Sequence, residues 1–247
     1  MVCNFLHCFT HDSWNNCCYS GNILTKEIQR IVGNIKKLLI ILNGKLSDNL
    51  ESYKNAFKKE KFFVIACDGG FLNAKKLGIK PDLLIGDFDS VGDLEVENKI
   101  QFPVEKDKSD AELAVDWGIN NGFSEFEIWG ALGGDVDHTL FNISLLLKIE
   151  EAGKKGKIFH PPFSLFLLNR SGVVQGNRGD KVSLYPFTDV VKKVKIRGFK
   201  YPLHGEDIVK GSTRTLSNEL IENKGWVEFE DGVILVIKKQ GGVHQSS

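Results

Sequence analysis

Short apolar runs alternate with charged, amphipathic stretches over residues 35–153. The apolar runs predict buried strands, which we place at 37–42, 62–66, 83–85, 101–104 and 125–129. The stretches between them predict helices, which we place at 48–60, 71–77, about 110–121 and 139–151. Because strands and helices alternate, the pattern predicts an α/β fold with an open, mostly parallel sheet. In such a sheet the ligand crevice lies at the carboxyl ends of the strands.

The pattern changes after Gly153, where the chain becomes rich in β-forming residues. Turn residues separate short segments with strand character, at 157–160, 164–168, 180–185, 190–197, 226–230 and 233–238. The sequence E-D-G-V at 230–233 predicts a hairpin between the last two of these segments. We therefore expect an α/β catalytic domain over residues 35–153, followed by a small antiparallel β-sandwich domain over residues 157–240.

Residues 1–34 show little periodicity, and we expect them to form a disordered N-terminal extension that the fold does not need. This stretch holds four of the five cysteines, namely Cys3, Cys8, Cys17 and Cys18. A disulfide framework would spread its cysteines through the fold, so we expect none here. The Cys-x4-Cys and Cys-Cys spacings also fit no common zinc site.

The charges of the chain balance, with 32 Lys plus Arg against 32 Asp plus Glu and a formal net charge of zero. No overall field therefore indicates binding to nucleic acid or to an anionic membrane. No window reaches the roughly 18 apolar residues of a membrane span, and the N-terminus lacks a secretory pattern. We expect a cytoplasmic protein whose function comes from local groups of side chains.

The segment L-L-I-G-D-F-D-S at 83–90 is the strongest local signal. Asp87 and Asp89 follow a buried strand, and in an extended backbone their side chains would point the same way. Two carboxylates that face one point repel each other unless a cation lies between them, and hard oxygen ligands suit Mg²⁺. The alternative interpretation is an Asp-rich surface turn in which Ser90 caps the next helix.

Five carboxylates lie at or just after predicted strand ends or in the glycine-rich loop at 130–138. They are Asp68, Asp87, Asp89, Asp110 and Asp137. Clustered carboxylates can bind Mg²⁺, and a glycine loop before a helix offers backbone N–H groups to phosphate. The residues alone therefore indicate metal-assisted phosphoryl transfer or phosphoester chemistry. No Walker A pattern is present, so a P-loop enzyme is excluded.

The segment D-F-D-S-V at 87–91 is similar to the aspartyl-nucleophile signature of haloacid-dehalogenase-like phosphatases. In that family the signature usually opens the domain, whereas two strand–helix units precede it here. The acidic positions Asp68 and Asp110 also have no counterpart in that scheme. A phosphatase of this class therefore stays an alternative.

Four segments together resemble the thiamine pyrophosphokinase family, in the order in which bacterial members carry them. They read A-C-D-G-G at 66–70, P-D-L-L-I-G-D-F-D-S at 81–90, K-D-K-S-D-A-E-L-A at 106–114 and G-G-D-V-D-H-T-L-F-N-I at 133–143. The segment G-S-T-R-T-L-S-N-E at 211–219 is similar to the thiamine-site segment of the family. The resemblance covers about residues 37–238.

The resemblance implies transfer of the pyrophosphoryl group of ATP to the hydroxyl of thiamine, giving thiamine diphosphate and AMP. It implies Mg²⁺ as the cofactor and ATP as the co-substrate. It also implies a homodimer whose active sites combine the α/β domain of one subunit with the sandwich of the other. Neither thiamine nor the dimer follows from composition or spacing.

The resemblance also implies roles for individual residues. Catalytic and metal-binding roles fall on Asp87, Asp89 and Asp110, with Asp68 close enough to join the metal. One of these carboxylates could also accept the hydroxyl proton. The ATP side is assigned to Asn43, Asp68, Gly69, Gly133, Gly134, Asp137 and His138, and the thiamine side to Asp110, Ser217 and Asn218. A hydroxyl and an amide suit the aminopyrimidine of thiamine, because each can donate and accept hydrogen bonds.

One departure from the family pattern concerns Asp135, where the family usually has Arg. Arg would attract phosphate and Asp would repel it, a change of two charge units. Either Asp135 points away, or the cation comes from Lys106, Lys108 or Arg214. The departure raises an alternative function, a thiamine-binding protein of the same fold with weak catalysis.

Overall fold

A computed structural model describes residues 35–86, 98–102 and 107–241. The expectations for residues 1–34, for Asp87 and Asp89 and for Lys106 lie outside the described residues. Within them the helices are α1 Leu50–Lys59, α2 Gly70–Leu77, α3 Asp110–Asn120 and α4 Val136–Glu151. The strands are β1 Lys37–Ile41, β2 Phe62–Cys67, β3 Leu83–Gly86, β4 Lys99–Gln101, β5 Glu125–Trp129, β6 Lys155–His160, β7 Phe163–Leu168, β8 Gly172–Gln175, β9 Lys181–Pro186, β10 Val190–Arg197, β11 Leu203–Val209, β12 Asn218–Glu219, β13 Lys224–Glu228 and β14 Ile234–Lys239.

Ten of these strands form one mixed sheet in the order β12-β9-β14-β7-β6-β5-β1-β2-β3-β4. The six strands from β6 to β4 are parallel, and from β7 onward the pairing is antiparallel. The expected α/β class with a mostly parallel sheet is confirmed. The sheet continues from β5 through β6 into β7, so the two halves of the chain share it.

Helices cover both faces of the parallel half, because the apolar side chains of its strands point alternately to the two faces. Leu38 and Ile40 of β1 pack in the core that holds α3 and α4, whereas Leu39 and Ile41 pack in the core that holds α1 and α2. The longest described helix, α4, has 16 residues. No described helix is long and apolar enough to cross a membrane.

A second sheet of four strands, in the order β11-β10-β13-β8, packs on the antiparallel half of the large sheet. Its core joins Val191 and Ile196 of β10 to Val182, Leu184 and Val236 of the large sheet. The expected antiparallel sandwich is therefore present. It shares one of its two layers with the α/β half.

The predicted hairpin at 230–233 is wrong. The flanking strands lie in different sheets, since β13 pairs with β10 and β8 whereas β14 pairs with β7 and β9. The turn residues therefore carry the chain from one layer of the sandwich to the other. Gly232 has a φ of 103°, and Asp231 forms a bridge to Lys192 instead of closing a hairpin.

Candidate active site

The neighbouring strands β1 and β5 lie where the strand order reverses, because β2 follows on one side of β1 and β5 lies on the other. The loops that leave their carboxyl ends run side by side. The amide of Leu42 donates to the carbonyl of Trp129 (2.8 Å), and the amide of Gly44 donates to the carbonyl of Gly130 (2.9 Å). This is the position at which open α/β sheets bind their ligands.

The loop after β1 fits tightly against its neighbours. A Cβ on Gly44 would lie 2.2 Å from the carbonyl oxygen of Gly130, and a Cβ on Gly69 would lie 2.5 Å from the side chain of Asn43. The structure therefore brings together Asn43 and Gly69, two residues predicted for the ATP side. Gly44 needs to be glycine because the backbone of Gly130 approaches so closely, and Gly69 leaves room for the Asn43 side chain.

Asp68 follows β2 directly and has a φ of 42°, which is uncommon for a residue with a side chain. Its amide donates to the carbonyl of Ile85 in β3 (3.1 Å). A Cβ on Gly86 would lie only 1.8 Å from Asp68 Oδ1, so the carboxylate reaches the last residue of β3. Asp68 is therefore placed beside the point at which the chain continues into Asp87.

Asp110 is the first residue of α3, and Ser109 caps the helix by accepting a hydrogen bond from the amide of Glu112 (3.2 Å). The thiol of Cys67 donates to the carbonyl of Asp110 (3.5 Å), which ties the start of α3 to the end of β2. Asp68 and Asp110 thus lie at the same edge of the sheet. The described residues alone hold no group of three or more His, Cys, Asp or Glu side chains placed for a metal.

The glycine loop leads from β5 into α4 and is exposed over Gly133, Gly134, Asp137 and His138. Gly133 has a φ of 77°, a conformation that glycine adopts without strain. Asp137 Oδ1 accepts a hydrogen bond from the amide of His138 (2.7 Å). The residues predicted for the ATP side after β5 are therefore open to solvent at the start of the longest described helix.

Two asparagines that were not predicted hold these loops in place. Asn73 Nδ2 donates to the carbonyls of Leu42 (2.7 Å) and Gly44 (2.9 Å). Asn142 Nδ2 donates to the carbonyl of Ala131 (3.1 Å). Asn142 stands in the fourth family segment, which is a signal for its importance, whereas nothing in the sequence around Asn73 marks it.

Asp135 is exposed and stands at the N-cap of α4, without a capping hydrogen bond from its side chain. Of the cations proposed to replace the family Arg, Lys108 lies 2.8 Å from Asp116 and Arg214 lies 2.8 Å from Glu206. Both are thus engaged by carboxylates of their own chain. The departure at Asp135 places a carboxylate beside the loop predicted to bind phosphate.

The residues predicted for the thiamine side, Ser217 and Asn218, lie in and beside β12, at the far edge of the large sheet. Ser217 is exposed, has a φ of 54°, and its amide donates to Ser183 Oγ (2.9 Å). Asn218 is buried; its Nδ2 donates to the carbonyl of Tyr201 (2.7 Å), and its Oδ1 accepts from the amides of Tyr201 (3.1 Å) and Glu219 (2.8 Å). Asn218 therefore holds the exposed Tyr201 segment, and Ser217 is the one of the two that faces solvent.

Comparison with known proteins places most of the chain in one family. A family model described as "Thiamin pyrophosphokinase, catalytic domain" matches residues 53–159, and one described as "Thiamin pyrophosphokinase, vitamin B1 binding domain" matches residues 173–234. The chain is 29% identical over 223 residues to the thiamine pyrophosphokinase of Bacillus subtilis, covering 86% of this chain and 98% of the relative.

Solved structures agree with that placement. The crystal structure of thiamine pyrophosphokinase from Bacillus subtilis matches with a TM-score of 0.74 at 29% identity, covering 83% of this chain and 99% of that one. The structure of thiamin pyrophosphokinase from Geobacillus thermodenitrificans matches with a TM-score of 0.70 at 28% identity, covering 84% and 99%. The enzyme from Candida albicans, at 18% identity and a TM-score of 0.68, shares the fold and covers 85% of this chain and 91% of its own.

The two family models together match more than half of the chain, one on each side of the change in strand pattern. The matches to the relatives extend over nearly the full lengths of those proteins. These findings set aside the haloacid-dehalogenase-like phosphatase. The chain belongs to the thiamine pyrophosphokinase family.

Proposed function

We propose that this protein transfers the pyrophosphoryl group of ATP to the hydroxyl of thiamine, giving thiamine diphosphate and AMP. The observation that carries the proposal is the presence of both family domains in one chain, the catalytic domain at 53–159 and the vitamin B1 binding domain at 173–234. The crevice at the carboxyl ends of β1, β2 and β5 supports it, because that is where an α/β sheet binds a nucleotide.

The glycine loop and the start of α4 would bind the polyphosphate of ATP. Backbone N–H groups at the N-terminus of a helix are free to donate, and the helix dipole favours negative charge there. Gly133 and Gly134 are exposed and leave room for close approach of phosphate oxygens. Asn142 holds the preceding loop by its bond to the carbonyl of Ala131. The loop is therefore in place before ATP arrives, which avoids an ordering cost on binding.

Carboxylates at the ends of β2 and β3 and at the start of α3 would hold Mg²⁺. The donor set fits this metal, since Asp68 and Asp110 offer hard oxygen atoms at one edge of the sheet and Asp87 and Asp89 follow β3 in sequence. Mg²⁺ bound there would neutralise charge on the oxygens of the transferred group. The carboxylates of the chain orient the site and offer an acceptor for the hydroxyl proton of thiamine.

The thiamine-binding edge is far from the ATP crevice within one chain. Seven inter-strand spacings separate β12 from β2 in the large sheet, which corresponds to roughly 34 Å along the sheet. Ser217 therefore lies too far from Asp68 along the same sheet to share one small substrate with it. A complete site needs the β12 edge of a second copy, so we propose a homodimer with two shared active sites.

Uncovered apolar surface supports this homodimer. Val136, Leu140 and Phe141 on the first half of α4 are 76%, 60% and 75% exposed. Leu216 and Tyr201 are also exposed, beside Ser217. Contiguous apolar patches on soluble domains mark interaction sites, and here one patch adjoins the ATP half and the other the thiamine half.

A cytoplasmic location and the lack of nucleic-acid and membrane partners stay predictions from the sequence.

Analysis of the nucleotide products tests the proposed function. Purified protein is incubated with ATP, Mg²⁺ and thiamine, with matched samples that lack thiamine, and the nucleotides are separated by chromatography. Formation of AMP that depends on thiamine supports the proposal. Release of phosphate or ADP without any need for thiamine contradicts it. Binding of thiamine without formation of AMP favours the alternative function, a thiamine-binding protein with weak catalysis. Asp135 is the observation that raises this alternative, because it stands where the family usually has Arg.

A further inference from the structure

A cluster of four charged side chains joins α3 to α4. Lys148 Nζ lies 2.7 Å from Glu112 Oε1 and 2.6 Å from Asp116 Oδ1, so one ammonium bridges two carboxylates on successive turns of α3. The second oxygen of Asp116 pairs with Lys108 (2.8 Å). The Asp116 side chain is only 13% exposed, which limits the screening of its two contacts by water.

Lys148 stays charged in this environment. Partial burial lowers its pKa, but hydrogen bonds to Asp116 and Glu112 outweigh this effect and raise the pKa above its ordinary value. Glu112 and Asp116 lie four residues apart on one helix, where like charges repel each other. The ammonium of Lys148 offsets this repulsion. Without Lys148, Lys108 would be the only cation of the cluster left beside them.

Glu112 of this cluster lies in the same helical turn as Asp110, a predicted metal ligand. Glu112 is in the first turn of α3, two residues after Asp110, and its amide makes the Ser109 capping bond. Lys148 lies in the last turn of α4, next to Ile149, one of the two fully buried residues that anchor that helix. The bridge therefore fixes the first turn of α3 against the anchored half of α4.

We propose that Lys148 is a positioning residue that sets the first turn of α3, and through it the carboxylate of Asp110 relative to Asp68. This inference rests on the proposed function, in which both carboxylates hold the metal. Groups that orient metal ligands without touching the metal typically change metal affinity or activity by about 10- to 100-fold when removed. For Lys148→Met we expect a loss of roughly 10-fold in divalent-metal affinity, near the lower end of that range.

The chain provides a matched control at the amino ends of the strands, opposite to the crevice. Lys37 Nζ also bridges two carboxylates, Glu60 (2.8 Å) and Glu125 (3.2 Å). The Lys37 and Lys148 side chains are equally exposed, at 32%. Lys37 begins β1, at the amino ends of the strands, away from the crevice. Lys37→Met thus removes the same kind of bridge without touching the site.

The experiment measures binding of Mn²⁺, a spectroscopic substitute for Mg²⁺, in the presence of an ATP analogue whose α,β-bridging oxygen is replaced by methylene, because pyrophosphoryl transfer would break the bond at that bridge. Free Mn²⁺ is quantified by electron paramagnetic resonance for the wild type, Lys148→Met, Lys148→Arg and Lys37→Met, and thermal unfolding is recorded for each. We expect Lys148→Met to bind Mn²⁺ roughly 10-fold more weakly, Lys148→Arg to recover most of the affinity, and Lys37→Met to match the wild type. The KM for Mg²⁺ in turnover should rise in parallel.

The outcomes separate this inference from the proposed function. Equal Mn²⁺ affinity in Lys148→Met and Lys37→Met, or failure of the wild type to bind Mn²⁺, overturns the positioning role. A wild type that binds Mn²⁺ but makes no AMP from thiamine contradicts the proposed function, while the affinity comparison still decides the role of Lys148. A loss of affinity that only follows a loss of folded protein in the unfolding curves also overturns the inference.

Discussion

The carboxylate of Asp68 lies against the Cα of Gly86, so that a Cβ on Gly86 would come within 1.8 Å of Asp68 Oδ1. Gly86 ends β3 and Asp68 directly follows the neighbouring parallel strand β2, so their contact brings the acidic turn after β2 to the start of the segment that holds Asp87. A glycine at the end of β3 therefore leaves room for a carboxylate. This contact supports the proposal of a metal site at this edge of the sheet.

Gly86→Ala should lower activity by displacing Asp68. Gly86 has a φ of 159°, which residues with a side chain rarely adopt, and its Cβ would collide with the end of the Asp68 side chain, which can rotate away. We expect the unfolding free energy to fall by about 1–3 kcal/mol because of the backbone strain, and activity to fall as much as in Asp68→Asn. Gly205→Ala is the control, because Gly205 in β11 also has a positive φ, of 121°, but its Cβ would meet only Lys195 Cε at 3.5 Å and lies outside the predicted site. Full activity in Gly86→Ala would show that the position of Asp68 does not matter.

Asp135→Arg should improve the use of ATP. The substitution replaces a negative charge with a positive one beside the loop predicted to bind phosphate, and Asp135 makes no capping bond that would be lost. We expect the KM for ATP to fall by roughly 3- to 10-fold, the scale of a charge change at an exposed helix N-terminus, with Asp135→Asn intermediate. Steady-state kinetics in ATP measures this. An unchanged or higher KM in the Arg variant would show that Asp135 points away from the phosphates.

His160 should make stability depend on pH. Its Nδ1 lies 3.5 Å from the hydroxyl of buried Tyr53, and burial lowers the pKa of His160 below its ordinary value of 6.5. His160 therefore binds a proton more readily in the unfolded chain than in the folded protein. The stabilisation is fully present above about pH 6.5 and is lost as the pH falls toward the folded pKa.

Urea unfolding at about pH 7 and about pH 5 checks this dependence. The unfolding free energy should fall more on acidification in the wild type than in His160→Gln. His138→Gln, at an exposed position, should retain the dependence of the wild type. If the difference between the wild type and His160→Gln is the same at both pH values, His160 does not contribute.

Mixed dimers should recover activity that their parents lack. Asp89→Asn damages the predicted metal side, and Ser217→Trp fills the thiamine side at an exposed position. Each pure dimer should be folded and inactive, whereas a hybrid has one intact site. Random mixing should restore about a quarter of wild-type activity, since half of the dimers are hybrids with one of two sites intact. No recovery, with hybrids shown by differently tagged subunits, would mean that each chain builds its own site.

Much of the fold could be predicted, because most elements carry a local signal. The strands β5 and β10 and the cap of α3 at Ser109 agree with the sequence patterns. Asn43, Asp68 and Gly69, which were predicted as site residues, lie close together, because the carboxyl ends of parallel strands share one edge. Predicting where the parallel strands end was therefore enough to predict which of these residues lie near one another.

Other features depend on contacts that are distant in sequence and could not be predicted. The strand β11 has a mostly polar sequence, with only Leu203 and Ile208 buried, and is defined by its pairing with β10. The hydrogen bond from Asn218 to Tyr201 joins residues that are 17 positions apart. The bridge from Lys148 to Glu112 of α3 joins residues that are 36 positions apart. The sequence shows an amide or an ammonium in each case, but its partner is fixed only by the fold.

Transfer of a labelled phosphorus tests the account most directly. ATP isotopically labelled at the β-phosphorus is supplied with Mg²⁺ and thiamine, and the products are separated and assayed for label. The account predicts that the label passes to thiamine diphosphate while unlabelled AMP forms in equal amount. Label that stays in ADP, or appears only in inorganic phosphate or pyrophosphate, would contradict pyrophosphoryl transfer to thiamine.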